Sequence, residues 1–253
     1  MRLTTVGTGT AAPSQTRVNA GHLIDAGETR LLMDCGSGVV HRMAALDIDW
    51  RTITHLAITH FHYDHILDVP TLFYAWVYGT LPRRSAPLEL IGPPGIEQLL
   101  EKLGGLIGDD LRTKGFPVAI RELPHGASIE AGALTVEAHK VPHTEESIAY
   151  SVRSGNRRVV YSGDTGPDAA FRAWAAHADV LLAECSLPAS MAMATHMTPE
   201  NCAELAAEAA PRTLVLTHFY PPVEAVDIRG IVASQFTGNV VLAADGWFTE
   251  IED

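Results

Sequence analysis

The residues most able to do chemistry lie in one short run, Thr59-His60-Phe61-His62-Tyr63-Asp64-His65, which packs three imidazoles and a carboxylate into six positions. Imidazole nitrogen and carboxylate oxygen are the ligands that zinc and related divalent metals favour. A loop leaving a strand can aim alternate side chains at one metal and the next pair at a second. A run of surface histidines in a turn is the competing reading, and it suits a lone histidine far better than this cluster.

The elements that must position these residues can be read from periodicity and punctuation. Residues 2–6, 21–25, 30–34, 55–59, 88–91, 118–123, 134–141, 148–152, 158–161, 180–184, 213–217, 240–243 and 247–251 read as strands. Helical spacing covers 39–46, 66–78, 167–176, 198–210 and 224–235, and Pro93-Pro94-Gly95 opens a helix through Leu103. Pro70 should begin or kink its helix, and Thr198 with Pro199 forms an N-terminal cap. The glycine-rich stretch 104–115 has no clear periodicity and reads as a mobile loop. This order predicts an α/β protein with two packed sheets and helices outside. A chain of 253 residues without a long Gly-, Ser- or Pro-rich linker reads as one domain, 1–253.

Composition narrows the classes. No apolar stretch approaches the roughly 20 residues that a membrane-spanning helix needs, and Met1-Arg2-Leu3-Thr4-Thr5-Val6 turns polar too early for a signal peptide. Cys35, Cys185 and Cys202 are scattered and odd in number, which suits a reducing compartment and small buried side chains. A cytoplasmic protein is expected. The formal charge is −12, and the longest basic runs are Arg83-Arg84 and Arg157-Arg158, which argues against an extended nucleic-acid footprint. The Gly7-Thr8-Gly9-Thr10 turn lacks the lysine and following helix of a P-loop and reads as backbone turn chemistry.

The His-x-His-x-Asp-His run, followed in order by Val141-Pro142-His143, Tyr161-Ser162-Gly163-Asp164-Thr165 and Leu216-Thr217-His218, each after a β-rich run, resembles the metallo-β-lactamase superfamily along the whole chain. The resemblance implies an αββα four-layer sandwich, the metallo-β-lactamase fold. It implies one metal held by His60, His62 and His143, a second held by Asp64, His65 and His218, and Asp164 bridging both. Two divalent metal ions, zinc first and manganese or iron as alternatives, would activate a bridging hydroxide and clamp the negative oxygens of a transition state. Aspartate at 164 disfavours the zinc β-lactamases that carry cysteine there, and His62 argues against the di-iron flavoprotein branch. Asp34 either orients a ligand histidine or caps the turn before Gly36.

Four segments, Val6-Gly7-Thr8-Gly9-Thr10-Ala11-Ala12-Pro13, Ala183-Glu184-Cys185, Thr195-His196-Met197-Thr198-Pro199-Glu200 and Leu216-Thr217-His218-Phe219, are similar to the ribonuclease Z-like branch. That resemblance implies that His196 assists phosphodiester cleavage, as general acid or oxyanion partner; a polar residue before a helix cap is the plainer reading. Asp64, itself a ligand, and His196 are the expected catalytic residues. The tRNA-processing members carry a long arm between the third-motif histidine and the bridging aspartate, whereas here His143 to Asp164 spans little more than two strands. The first expectation is therefore a hydrolase for a small-molecule ester, a phosphodiester above all, with a homodimer as one possible assembly. A ribonuclease Z-like tRNA 3′-end nuclease comes second, and a lactone, thioester or sulfate-ester hydrolase third. A non-enzymatic binding protein fits a complete ligand set poorly. The aromatic run 72–78 either lines the pocket or packs the core.

Overall fold

The structure, a computed structural model, describes residues 1–252 apart from 107, 109 and 112–114. In chain order its elements are β1 (Arg2–Gly7), β2 (Gly21–Ala26), β3 (Thr29–Met33), α1 (Val39–Ala45), β4 (His55–Ala57), α2 (Tyr63–Ile66), α3 (Asp68–Tyr78), β5 (Leu88–Gly92), α4 (Ile96–Leu106) and β6 (Val118–Glu122). The second half follows with β7 (Ser128–Ala131), β8 (Leu134–Lys140), β9 (Ile148–Ser154), β10 (Arg157–Tyr161), α5 (Ala169–Trp174), β11 (Val180–Glu184) and α6 (Pro199–Ala209). It ends with β12 (Thr213–Thr217), α7 (Pro221–Glu224), α8 (Ile228–Ala233), β13 (Asn239–Leu242) and β14 (Phe248–Glu250).

The strands form two sheets of order β14-β1-β2-β3-β4-β5-β6 and β13-β12-β11-β10-β9-β8-β7. Side chains alternate across a strand, so each strand serves two apolar layers. In β3, Leu31 and Met33 join the core between the sheets, while Leu32 faces the layer shared with α1, α3 and α4. In β11, Val180 and Leu182 point inward, while Leu181 and Ala183 meet α5, α6 and α8. Helix, sheet, sheet and helix are thus the four layers expected of the αββα sandwich. The parallel strands β3–β6 and β10–β13 send their carboxyl ends to one rim, where the candidate ligands emerge.

Several element boundaries depart from the sequence reading. The helix expected over 66–78 is broken at Leu67 into α2 and α3, and Pro70 falls in the first turn of α3, where its missing N–H has no helical acceptor to lose. The helix expected over 224–235 is split because Asp227 caps α8, its side chain accepting from Gly230 N at 3.0 Å. Helix α4 continues to Leu106, into the stretch expected as a loop; residues 107, 109 and 112–114 of that stretch lie outside the described residues. Strand β7 was not anticipated. The cap on α6 is as expected, with Thr198 and Asn201 in a reciprocal capping box and Pro199 behind it. All three cysteines are buried and unbridged. Among the described residues no helix is long and apolar enough to cross a membrane.

Candidate metal centre

The ligand loop leaves β4 and turns at once into the short helix α2, so His60 and His62 lie in extended chain and Asp64 and His65 on the first helical turn. Backbone hydrogen bonds fix this loop against its neighbour: Cys35 N donates to His65 O at 2.8 Å and Ala20 N to Asp64 O at 3.1 Å. The approach is close enough that a Cβ on Gly36 would stand 2.0 Å from the Asp64 carbonyl, so only glycine fits there. Across the rim, Gly163 at φ +57 brings the Asp164 turn against Thr59, whose Cβ would be 2.9 Å from a Cβ at 163. One glycine seats the loop and the other brings the two sheets together.

The structure gathers every metal-ligand candidate. His60, His62, His143 and Asp164 form one group of donor atoms within 4.8 Å of one another, and Asp64, His65 and His218 form another. Asp164 stands between them. Its Oδ2 lies 3.9 Å from His60 Nε2 and 3.8 Å from His143 Nε2, while its Oδ1 lies 3.3 Å from His65 Nε2 and 3.4 Å from His218 Nε2. His196 also shares a group with Asp164 and His218, so it adjoins the centre instead of standing apart.

Most of the imidazoles are held from behind by the other ring nitrogen. Nδ1 of His65 meets Asp34 Oδ2 at 2.8 Å, Nδ1 of His60 meets Thr59 Oγ1 at 3.1 Å, Nδ1 of His143 donates to Thr195 O at 2.9 Å, and Nδ1 of His218 meets Ser186 Oγ at 3.0 Å. Those contacts fix ring orientation and leave each Nε2 facing the centre, as metal-ligating histidines require. Asp34 is the common anchor on one side. It also accepts from Thr59 N at 2.8 Å and from the Tyr161 hydroxyl at 2.9 Å, and it is fully buried with a left-handed backbone, φ 58. The ligand-orienting reading of Asp34 therefore describes its contacts better than the turn-cap reading.

Glu184, which the sequence reading quoted without a role, is the anchor on the other side. It accepts from Thr165 N at 2.6 Å, from the Ser186 hydroxyl and from Met197 N at 3.3 Å, and it pairs with His196 Nδ1 at 3.1 Å. An ionisable residue closing the otherwise apolar strand Val180–Glu184 was the signal available in the sequence. Burial disfavours a charged His196, but the hydrogen bond and charge of Glu184 overcome it and raise the pKa to about 9. Tyr220, also missed, has its ring 6.0 Å from His218 and 6.3 Å from His196. Burial and the nearby carboxylates raise its pKa to about 12. Of the run 72–78, Leu72, Phe73, Trp76 and Val77 pack the core, while Tyr74 and Tyr78 lie against each other on the outer surface, tilted at 45° with ring centres 4.6 Å apart.

The donor set fits divalent metal. Among the described residues, His60 Nε2, His65 Nε2 and Asp164 Oδ1 are buried without a hydrogen-bond partner, a costly state that coordination would relieve. Burial, reinforced by His65, pushes the His60 pKa well down, so this ring is neutral and able to coordinate. Burial opposes the charge of Asp164, yet the surrounding histidines, His218 and His65 foremost, hold its pKa well below the usual carboxylate range.

Comparison with known proteins agrees with this geometry. Residues 29–219 match the family described as the β-lactamase superfamily domain. A protein named ribonuclease Z from Mycobacterium sp. strain KMS is 31% identical over 97% of this chain and 94% of its own length, and one from Mycobacterium bovis is 27% identical over 97% and 96%. Among solved structures, the metallo-β-lactamase fold protein YhfI from Bacillus subtilis superposes with a TM-score of 0.86 at 25% identity, covering 98% of each chain. The short form of human tRNase Z has a TM-score of 0.81 at 24% identity over the full length of both chains and shares the fold.

Proposed function

The chain belongs to the β-lactamase superfamily, in its ribonuclease Z-like branch, and from that premise we propose that this metal-dependent hydrolase cleaves phosphodiesters at a two-metal centre. The observation that carries the reading is Asp164, whose two oxygens face two separate groups of imidazoles, one containing the unpartnered His60 Nε2 and the other the unpartnered His65 Nε2. In this reading His60, His62 and His143 would hold one metal and Asp64, His65 and His218 the other, with Asp164 placed to serve both. Zinc matches the nitrogen-rich donor set, with manganese or iron as alternatives. When bound, a pair of such ions lowers the pKa of water and neutralises charge on the phosphoryl oxygens.

The chain's own residues supply the rest. Glu184 holds a proton on His196 and fixes its ring 4.8 Å from that of His143, at the mouth of the centre. A protonated imidazole there donates to the leaving oxygen, and Glu184 then shares the charge of the pair. Asp34 and Ser186 keep His65 and His218 from rotating as charge develops. Asp64 stays ionised: burial works against its charge, but its hydrogen bond with His218 lowers the pKa to about 2.

The substrate is the finer question. The relatives named ribonuclease Z favour RNA, and a tRNA 3′-end nuclease is the second reading. A small diester is favoured by the charge of −12 and by the short path from His143 to Asp164, which holds only β9, a tight turn and β10. Without remote contacts a large substrate gains little binding energy over a small one. The test compares kcat/KM for bis(p-nitrophenyl) phosphate and a tRNA precursor at matched metal and salt. The small diester is expected to be cut at least as efficiently. Accurate cleavage of the precursor at its 3′ end, preferred by orders of magnitude, would replace this reading with the second.

A further inference from the structure

Tyr220 is fixed more firmly than packing alone would need. Its N–H donates to Ser186 O at 3.2 Å, its carbonyl accepts from Val223 N at 3.0 Å, and it caps α7, where Pro221 and Pro222 restrict the chain that follows. The ring stands edge-on to His218 at 87° and to His196 at 76°, half-buried between the acid and the second ligand group. His196 and His218 share a group of donor atoms with Asp164, so the ring borders the centre itself. A phenol so placed brings one donor proton to the neighbourhood of the candidate acid and the second ligand group.

We propose that Tyr220 is a substrate-contacting residue whose hydroxyl donates to a non-bridging oxygen of the scissile phosphate. It complements His196: one group protonates the departing oxygen, while the other steadies an oxygen that stays on phosphorus. A donor aimed where charge grows, and held so that it need not reorganise, is the kind that favours a transition state over the ground state. The same contact would serve any tetrahedral oxyanion, inorganic phosphate included. The proposal rests on the phosphodiesterase reading for its substrate but not for its ligand chemistry.

The test uses the metal-loaded protein and Tyr220→Phe, which keeps the ring and removes only the hydroxyl. Expected are unchanged metal content and melting temperature, a kcat on bis(p-nitrophenyl) phosphate lower by about 10–100-fold, and KM moved much less. Calorimetric titration with inorganic phosphate should show binding weakened by about tenfold, the loss of one charge-assisted hydrogen bond. Tyr220→Leu should resemble Tyr220→Phe. If the ring matters only as a wall, Tyr220→Phe will match wild type while Tyr220→Leu fails, and that result overturns the proposal. If the wild-type protein cleaves no diester, the phosphodiesterase reading fails separately. Phosphate titration still decides this one, since an unchanged affinity in Tyr220→Phe would refute it and a weakened one would support it.

Discussion

Asp34 and Glu184 occupy matching places in the two sheets, each a fully buried carboxylate at the end of a central strand, yet they organise their surroundings differently. Every partner of Asp34 serves the contiguous ligand loop or the opposite sheet that braces it: Thr59, His65 and Tyr161. Glu184 reaches segments far apart in the chain, namely the Asp164 turn through Thr165, His218 through Ser186, and His196 directly. The first carboxylate stiffens a motif that is already local. The second assembles a site from pieces and joins the metal ligands to the candidate acid. The contrast teaches that the Asp34 side braces metal ligands alone, whereas Glu184 couples ligands to the candidate acid, so damage at Asp34 should spare the acid and damage at Glu184 should reach both.

The largest expected effect lies between the two anchors. Asp164→Ala should abolish activity and release at least one metal, read by elemental analysis beside an assay. Full metal content in that variant would remove Asp164 from the bridging position. On the Glu184 side, His196→Ala should lower turnover by about 10²–10⁴-fold, the range of general acid–base catalysis. Its metal content should stay at the wild-type level, and metal loss would show that the acid and the ligands are one unit. On the other side, Asp34→Asn should weaken metal affinity by about 10–100-fold, as loss of a ligand's supporting hydrogen bond does. Competition with a chelator of known affinity measures this. Smallest is Ser186→Ala, which cuts one link between Glu184 and His218 and should cost about tenfold in affinity, the low end for such supporting groups. A loss larger than that of Asp34→Asn would reverse the ranking of the two anchors.

The same contrast explains what could be read from the sequence. The loop from His60 to His65 announces itself because its ligands are adjacent, while His143, Asp164 and His218, each after an apolar strand, are legible through the family resemblance that the loop brings to mind. The cap at Thr198 is legible because Thr-Pro is local chemistry. Glu184 was hidden: its partners lie 19, 2 and 12 residues away by three different paths, and only the sheet brings them together. Tyr220 was hidden for a related reason, since its neighbour His196 comes from a loop that folds back onto the end of β11, where Ser186 N donates to Met197 O at 3.0 Å. The break between α7 and α8 depended on Asp227 turning its side chain onto Gly230, a choice that helical spacing alone does not reveal. Strand β7, four residues long, was too short to establish a period.

The unpartnered nitrogens and oxygen at the centre also bear on how long the protein lasts. Buried polar atoms without partners burden the native state alone, because the unfolded chain gives them to water. Any ion that binds the folded form repays that burden by mass action, about 2.7 kcal/mol for one site at a hundredfold excess over Kd. Metal supply would then set folded lifetime as well as catalytic competence. A chain deprived of metal would spend more time open to proteases, so scarcity would reduce the amount of protein along with its activity.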